Sequence, residues 1–212
     1  MLSASRPSAR LAVLVSGGGT NLQALLDAID ADPGFGGEVV VVAADRPDAG
    51  GLQRAKDRGI ATVVEELSAH SDRASWEAAL RRAVEAHRPD AVVLAGFMKI
   101  LSGAFLAGWP DRVINTHPSL LPAFRGAHAV EDALAYGVRV TGCTVHLVDE
   151  QVDHGPIVNQ QAVEIRDDDT AETLHERIKA VEHALLPASV KLLCHDRLAV
   201  SGRVVRILEE TR

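Results

Sequence analysis

The sequence predicts an α/β fold: a mostly parallel, seven-stranded twisted sheet with helices on both faces and an antiparallel C-terminal portion. Three observations carry this. Between Leu11 and Ala95, short continuous apolar runs alternate with amphipathic stretches. Unbroken apolar runs mark strands buried on both faces, and parallel strands need a crossover helix between them. Beyond Val113 two longer strand-like segments follow one another with only a loop between, as antiparallel neighbours do.

In chain order, residues 11–15 form the first strand. Residues 21–31 form a helix with Leu22, Leu25, Leu26 and Ile29 on one side. Residues 38–44 are a Val-rich second strand, 48–58 a helix, and 62–64 part of a short third strand. Residues 73–87 are helical and stop before Pro89, because a residue ahead of proline is pushed out of the helical region. Residues 91–95 are the fourth strand. Val113-Ile114 enters the fifth, which ends on Asn115-Thr116-His117. Residues 129–136 are a short helix, 140–148 a strand with one polar face, and 157–165 its antiparallel partner. Residues 169–194 form a long helix with Leu174, Ile178, Val181 and Leu185 as its apolar stripe. Asp169 and Glu172 have capping-box spacing there. Residues 198–200 and 204–207 flank Ser201-Gly202 as a terminal hairpin. This is a Rossmann-like arrangement, and its ligands belong at the carboxyl ends of the strands. Residues 1–10 read as a disordered leader and 11–212 as one domain.

Composition narrows the function. The chain has 212 residues, 47% of them hydrophobic and 24% charged, enough for a substantial core. The net charge of −7 speaks against a duplex-binding surface, and 3% aromatics against a base-stacking platform. No nucleic-acid partner is expected. No apolar run approaches the roughly 20 residues of a membrane span, and no signal core is present. Cys143 and Cys194 match no disulfide framework or metal motif and read as buried reduced thiols. A cytoplasmic protein is expected, with monomer and homodimer both open.

Four constellations can carry chemistry. Ser16-Gly17-Gly18-Gly19-Thr20-Asn21 follows a strand and opens a helix. Such a loop turns backbone N–H groups and the positive helix end toward an anion. The dinucleotide pattern fails at Leu22, and no Gly-Lys-Ser/Thr follows. A phosphate monoester is the better fit; a purely structural turn is the alternative. Asn115 and His117 stand two apart on a strand end, so they share a face. Both can donate to a developing oxyanion; two separately satisfied polar groups are the alternative. Asp149, Asp153, His146 and His154 match no metal spacing, so no metal is expected. Asp153 suits a carboxylate that orients His117 and favours its charged form. Lys179 and Glu182 border the long helix's apolar stripe, where spacing alone favours a surface pair.

Several blocks resemble those of the phosphoribosylglycinamide formyltransferase family, a branch of the folate-dependent formyl transferases. They are Ser16-Gly17-Gly18-Gly19-Thr20-Asn21-Leu22-Gln23, Ala95-Gly96-Phe97-Met98-Lys99-Ile100-Leu101, Asn115-Thr116-His117-Pro118-Ser119-Leu120-Leu121-Pro122 and Asp153-His154-Gly155-Pro156. The resemblance runs from about Leu11 to Val200. It implies formyl transfer from 10-formyltetrahydrofolate, as co-substrate, to the amine of glycinamide ribonucleotide. It implies a phosphate-binding half over about 11–100 and a folate and catalytic half over about 101–212. Asn115, His117 and Asp153 would be catalytic. Gly18, Gly19, Thr20, Asn21, Lys179 and Glu182 would hold phosphate, ribose and amine. Arg73, Gly96, Met98, Lys99, Ile100 and Leu101 would bind folate, with Asn115, Val148, Asp149 and Asp153 facing them.

Two positions depart from the family pattern. Gly18 stands where Asn or Thr is common, and Arg125 where Pro or Lys is usual. Arg125-Gly126-Ala127 is closer to methionyl-tRNA formyltransferases. That enzyme, a formyl-folate hydrolase, and a nucleotide-binding oxidoreductase using Gly17–Gly19 and Asp45 are the alternatives.

Overall fold

The computed structural model describes residues 8–209. The expected leader lies largely outside them; of its described part, Ser8, Ala9 and Arg10, the last two already belong to the first strand. The elements are β1 (Ala9–Val15), α1 (Thr20–Ala31), β2 (Gly37–Ala44), α2 (Gly50–Asp57), β3 (Ala61–Val64), α3 (Arg73–Glu85), β4 (Ala91–Leu94) and α4 (Gly103–Leu106). Then follow β5 (Val113–His117), α5 (Ala129–Tyr136), β6 (Val140–Leu147), β7 (Ile157–Glu164), α6 (Ala171–Cys194), β8 (Leu198–Ser201) and β9 (Val204–Ile207).

The strands form one sheet in the order β3-β2-β1-β4-β5-β6-β7-β9-β8. The pairs from β3 to β5 are parallel. β6 runs antiparallel to both β5 and β7. The described sheet has nine strands rather than seven, because the terminal hairpin joins the β7 edge through one pairing, Ile157 with Val204. An edge strand offers unpaired backbone groups that such a hairpin can take up.

Period-two alternation explains the two layers of core. Leu11, Val13 and Val15 of β1 pack with Leu22, Leu25 and Leu26 of α1 and Leu186 and Val190 of α6. Ala12 and Leu14 point the other way, onto Trp76, Leu80 and Val84 of α3. Each fully buried Leu or Val contributes roughly 1.5–3 kcal/mol of transfer free energy, and β1 is buried on both faces.

Two local details differ from the sequence reading. The cap of α6 is Thr170 with Thr173, not Asp169 with Glu172. Thr173 N donates to Thr170 Oγ1 at 3.3 Å, and Thr170 N donates back to Thr173 Oγ1 at 2.9 Å. Asp169 instead accepts from Arg166 N at 2.7 Å and pairs with Arg177. The four-residue α4 is too short to show a period. It is fixed by tertiary contacts: Ser102 N donates to the Glu77 carboxylate at 2.7 Å, and the Phe105 and Trp109 ring centroids lie 5.3 Å apart.

Candidate active site

The carboxyl ends of β1, β4 and β5 open on a cleft of about 580 Å³. Its lining comes from both halves of the chain.

The glycine loop forms one end. Gly19 caps α1 in the left-handed region, at φ 70°. A Cβ there would lie 2.5 Å from the Gly51 Cα, so only glycine fits. Gly17 O accepts from Gly51 N at 3.1 Å and Gly18 O from Arg54 Nε at 2.8 Å. These carbonyls turn toward α2. No side chain caps α1, so its first N–H groups stay available where the helix end is positive. Ser16 ties this loop to the one after β4: its Oγ accepts from Met98 N at 2.8 Å, and its N–H donates to Gly96 O at 3.1 Å.

Asn115 and His117 stand on β5, on the face that meets the cleft. The β5–β6 register sets Asn115 opposite His146. His146 is 2% exposed, and burial lowers its pKa, the largest influence on it. Its Nδ1 lies 2.8 Å from Leu147 O, which can only accept, so Nδ1 carries the proton. Nε2 then accepts from Asn115 Nδ2 at 3.1 Å. One Asn115 amide hydrogen is held by His146, and the amide is fixed in one orientation.

His117 is likewise anchored. Its Nε2–H donates to Phe124 O at 2.8 Å. Nδ1 lies 3.4 Å from Asp153 Oδ2. The same carboxylate oxygen accepts from Gly126 N at 2.8 Å, and Oδ1 lies 3.8 Å from His146 Nε2. Asp153 holds this place with φ 47°, a left-handed conformation uncommon for a residue with a side chain. Backbone strain of that kind gathers at functional sites.

Glu182 departs from the surface pair that spacing favours. It is 5% exposed, and burial raises its pKa. Its carboxylate accepts from Asn21 Nδ2 at 3.2 Å and from Thr116 Oγ1 at 3.3 Å. Lys179 pairs instead with Glu176, at 2.7 Å.

Gly18, Gly19, Thr20, Asn21, Gly96, Met98, Lys99, Ile100, Leu101, Val148, Asp149, Lys179 and Glu182 all line the cleft. Met98, Ile100 and Val152 are exposed apolar side chains at its rim. Arg73 does not line it. Its guanidinium lies 5.6 Å over the Trp76 ring and hydrogen-bonds Ile100 O, so it supports the loop from behind. Asp45 is turned inward, 1% exposed, near Lys99 Nζ at 3.5 Å and Arg46 Nε at 3.7 Å. A carboxylate so placed does not line the cleft, which removes the main support for a nicotinamide-nucleotide site. The sequence weighs His146 only as a metal ligand and gives Thr116 no role of its own; His146 alternates correctly on β6, but its pairing with Asn115 is a matter of register. Among the described residues, no three His, Cys, Asp or Glu side chains gather in a way that could hold a metal ion.

An open α/β sheet whose switch-side cleft combines an uncapped helix N-terminus with a polar Asn–His–Asp wall and an apolar rim is the ligand-binding architecture of an α/β enzyme. The chain belongs to the formyl transferase family, whose model matches residues 9–190. It is 49% identical over 195 residues to the phosphoribosylglycinamide formyltransferase of Mycobacterium tuberculosis H37Rv, covering 92% of this chain and 89% of that protein. It is 41% identical over 210 residues to the human trifunctional purine biosynthetic protein adenosine-3, covering 98% of this chain but 21% of that one. The crystal structure of glycinamide ribonucleotide transformylase 1 from Symbiobacterium toebii superposes with a TM-score of 0.94 at 43% identity, covering 98% and 100% of the two chains. The Coxiella burnetii phosphoribosylglycinamide formyltransferase, solved with CHES, gives 0.88 at 37% identity, covering 94% and 93%.

Proposed function

We propose that this protein transfers the formyl group of 10-formyltetrahydrofolate to the amine of glycinamide ribonucleotide, in the cytoplasm, as a step of purine biosynthesis. The observation that carries the proposal is the shared wall of Asn115, His117 and Asp153 between a phosphate-type helix end and an apolar rim.

The chain's groups divide the work as follows. The α1 N–H groups, with Thr20 and Asn21, bind the substrate phosphate. Glu182, beside Asn21, meets the ribose or glycyl amine. The loop Gly96–Leu101 and the Val148–Asp153 segment hold the folate. The substrate amine attacks the formyl carbon, forming the new C–N bond. The carbonyl electron pair moves onto oxygen, where the free Asn115 amide hydrogen and protonated His117 Nδ1 stabilise it. The Asp153 carboxylate stands beside that imidazole. The proton leaves the attacking nitrogen, through water held at Asp153, for the folate nitrogen. Collapse of the oxyanion then breaks the folate C–N bond. No covalent enzyme intermediate forms.

A hydrolase would use the same donors with water as nucleophile. The buried Glu182 and uncapped α1 favour a phosphorylated acceptor instead. A thermal-shift screen tests the reading. Glycinamide ribonucleotide and a folate analogue should each raise Tm, and nicotinamide nucleotides should not. A shift with the nicotinamide nucleotides alone would overturn it.

A further inference from the structure

The terminal hairpin touches the loop that carries Asp153. Arg203 sits at its turn, next to Gly202 at φ 60°. Arg203 Nη2 donates to the His154 carbonyl oxygen at 2.6 Å. Nη1 lies 3.0 and 3.3 Å from the two ring nitrogens of His154, so the guanidinium packs across the ring rather than along one lone pair. His154 Nδ1 in turn donates to Asp149 Oδ2 at 2.6 Å, and Asp149 Oδ1 accepts from Gln151 N at 3.0 Å. The loop is closed at its base by Leu147 N donating to Pro156 O at 2.9 Å. Gly155 crosses so close to β6 that a Cβ would lie 1.8 Å from Leu147 O. The carbonyl that Arg203 grips belongs to His154, the residue directly after Asp153, which is held at φ 47°.

We infer that Arg203 is a positioning residue for Asp153: the terminal hairpin braces the Asp149–Pro156 loop through His154 and so fixes the carboxylate beside His117. This rests on the proposed role of Asp153. A left-handed residue in a loop relaxes unless its surroundings over-determine it. Two of the contacts that do so here come from outside the loop: Gly126 N on the carboxylate, and Arg203 on the following carbonyl. Among the described residues, the hairpin pairs with the remainder of the sheet only at Ile157–Val204, so it is a separate element brought to the loop chiefly by this contact and by packing of Val200 and Val205 on the core.

The test compares Arg203→Ala, Arg203→Lys and, as a control on the same hairpin, Arg206→Ala. Two readouts are used: steady-state kinetics with formyl-folate and glycinamide ribonucleotide, and amide hydrogen exchange over residues 149–155 without ligands. Arg203→Ala should lower kcat about tenfold, with KM for both substrates within about twofold of wild type, and should speed exchange in the loop. Arg203→Lys, which keeps a donor to the carbonyl, should recover part of both. Arg206→Ala should match wild type in both. Unchanged loop exchange in Arg203→Ala would overturn the brace whatever the kinetics show. Faster exchange with unchanged kcat would overturn the positioning of Asp153. Absent turnover by wild type would instead overturn the reading of the site, a different failure.

Discussion

Asp153 Oδ2 lies 3.4 Å from His117 Nδ1 while accepting the Gly126 N–H at 2.8 Å. The other His117 nitrogen is committed to Phe124 O. The imidazole therefore has one free edge, and that edge faces both the carboxylate and the cleft. A proton on Nδ1 has a counter-charge beside it, in a residue that lines the cleft.

Removal of either partner should abolish most turnover. His117→Ala and Asp153→Asn should each lower kcat by about 10²–10³, the usual cost of losing one oxyanion donor or its support. Circular dichroism and Tm should remain near wild type. Activity within a few fold of wild type in either variant would remove that residue from the reaction.

His146 should make stability pH-dependent. Burial lowers its pKa in the fold, from an ordinary value of 6.5. Between the folded value and 6.5 the unfolded chain binds the extra proton, so stability rises with pH across that window. It is fully present above pH 6.5 and is lost as pH falls through the folded value. His175 and His183 are shifted in the same direction by burial and add to the slope. Tm of wild type should therefore fall below pH 6.5, and His146→Gln, whose amide can still accept from Asn115, should show a shallower fall. Identical slopes would mean that the buried imidazole is not the group responsible.

Glu182 has the opposite sign. Burial raises its pKa above the ordinary 4.5. Its contribution is present below pH 4.5 and is lost as pH rises through the folded value. Burial therefore opposes the charged form of Glu182 as pH rises. Glu182→Gln should raise Tm at pH 7, by about 2–4 °C for each kcal/mol gained. It should also raise KM for the phosphorylated substrate, and the thermal gain should vanish below pH 4.5. A lower Tm at pH 7 would show that the Asn21 and Thr116 hydrogen bonds outweigh the burial.

The glycine loop separates two neighbouring positions. Nothing lies within 4 Å of a Cβ built on Gly18, whereas one on Gly19 meets Gly51. Gly18→Asn should leave stability within about 0.5 kcal/mol and lower KM for the phosphorylated substrate by adding a donor. Gly19→Ala should cost about 1–3 kcal/mol, since it adds a clash to a left-handed backbone. Equal effects at the two positions, read by urea denaturation, would contradict this geometry.

The sheet was legible because residues 11–15, 41–44 and 91–94, in β1, β2 and β4, are buried on both faces and include no polar residue. Asn115 and His117 were legible because two residues apart on a strand means one face. The α6 cap was displaced by one residue because Asp169 and Thr170 each precede a plausible partner three positions on, and only Arg166 and Arg177 decide which is taken. Glu182 could not be read as buried: its partner Asn21 stands 161 residues away in the chain. His146 is the same case, since a lone histidine on an alternating strand says nothing of the residue opposite. Spacing within an element is local; register and helix docking are not.

Acceptor dependence decides the proposed reaction. The loss of 10-formyltetrahydrofolate, followed by absorbance, should require glycinamide ribonucleotide and give one formylated acceptor for each folate consumed. Consumption at the same rate without acceptor, with formate released, would contradict formyl transfer and identify a hydrolase.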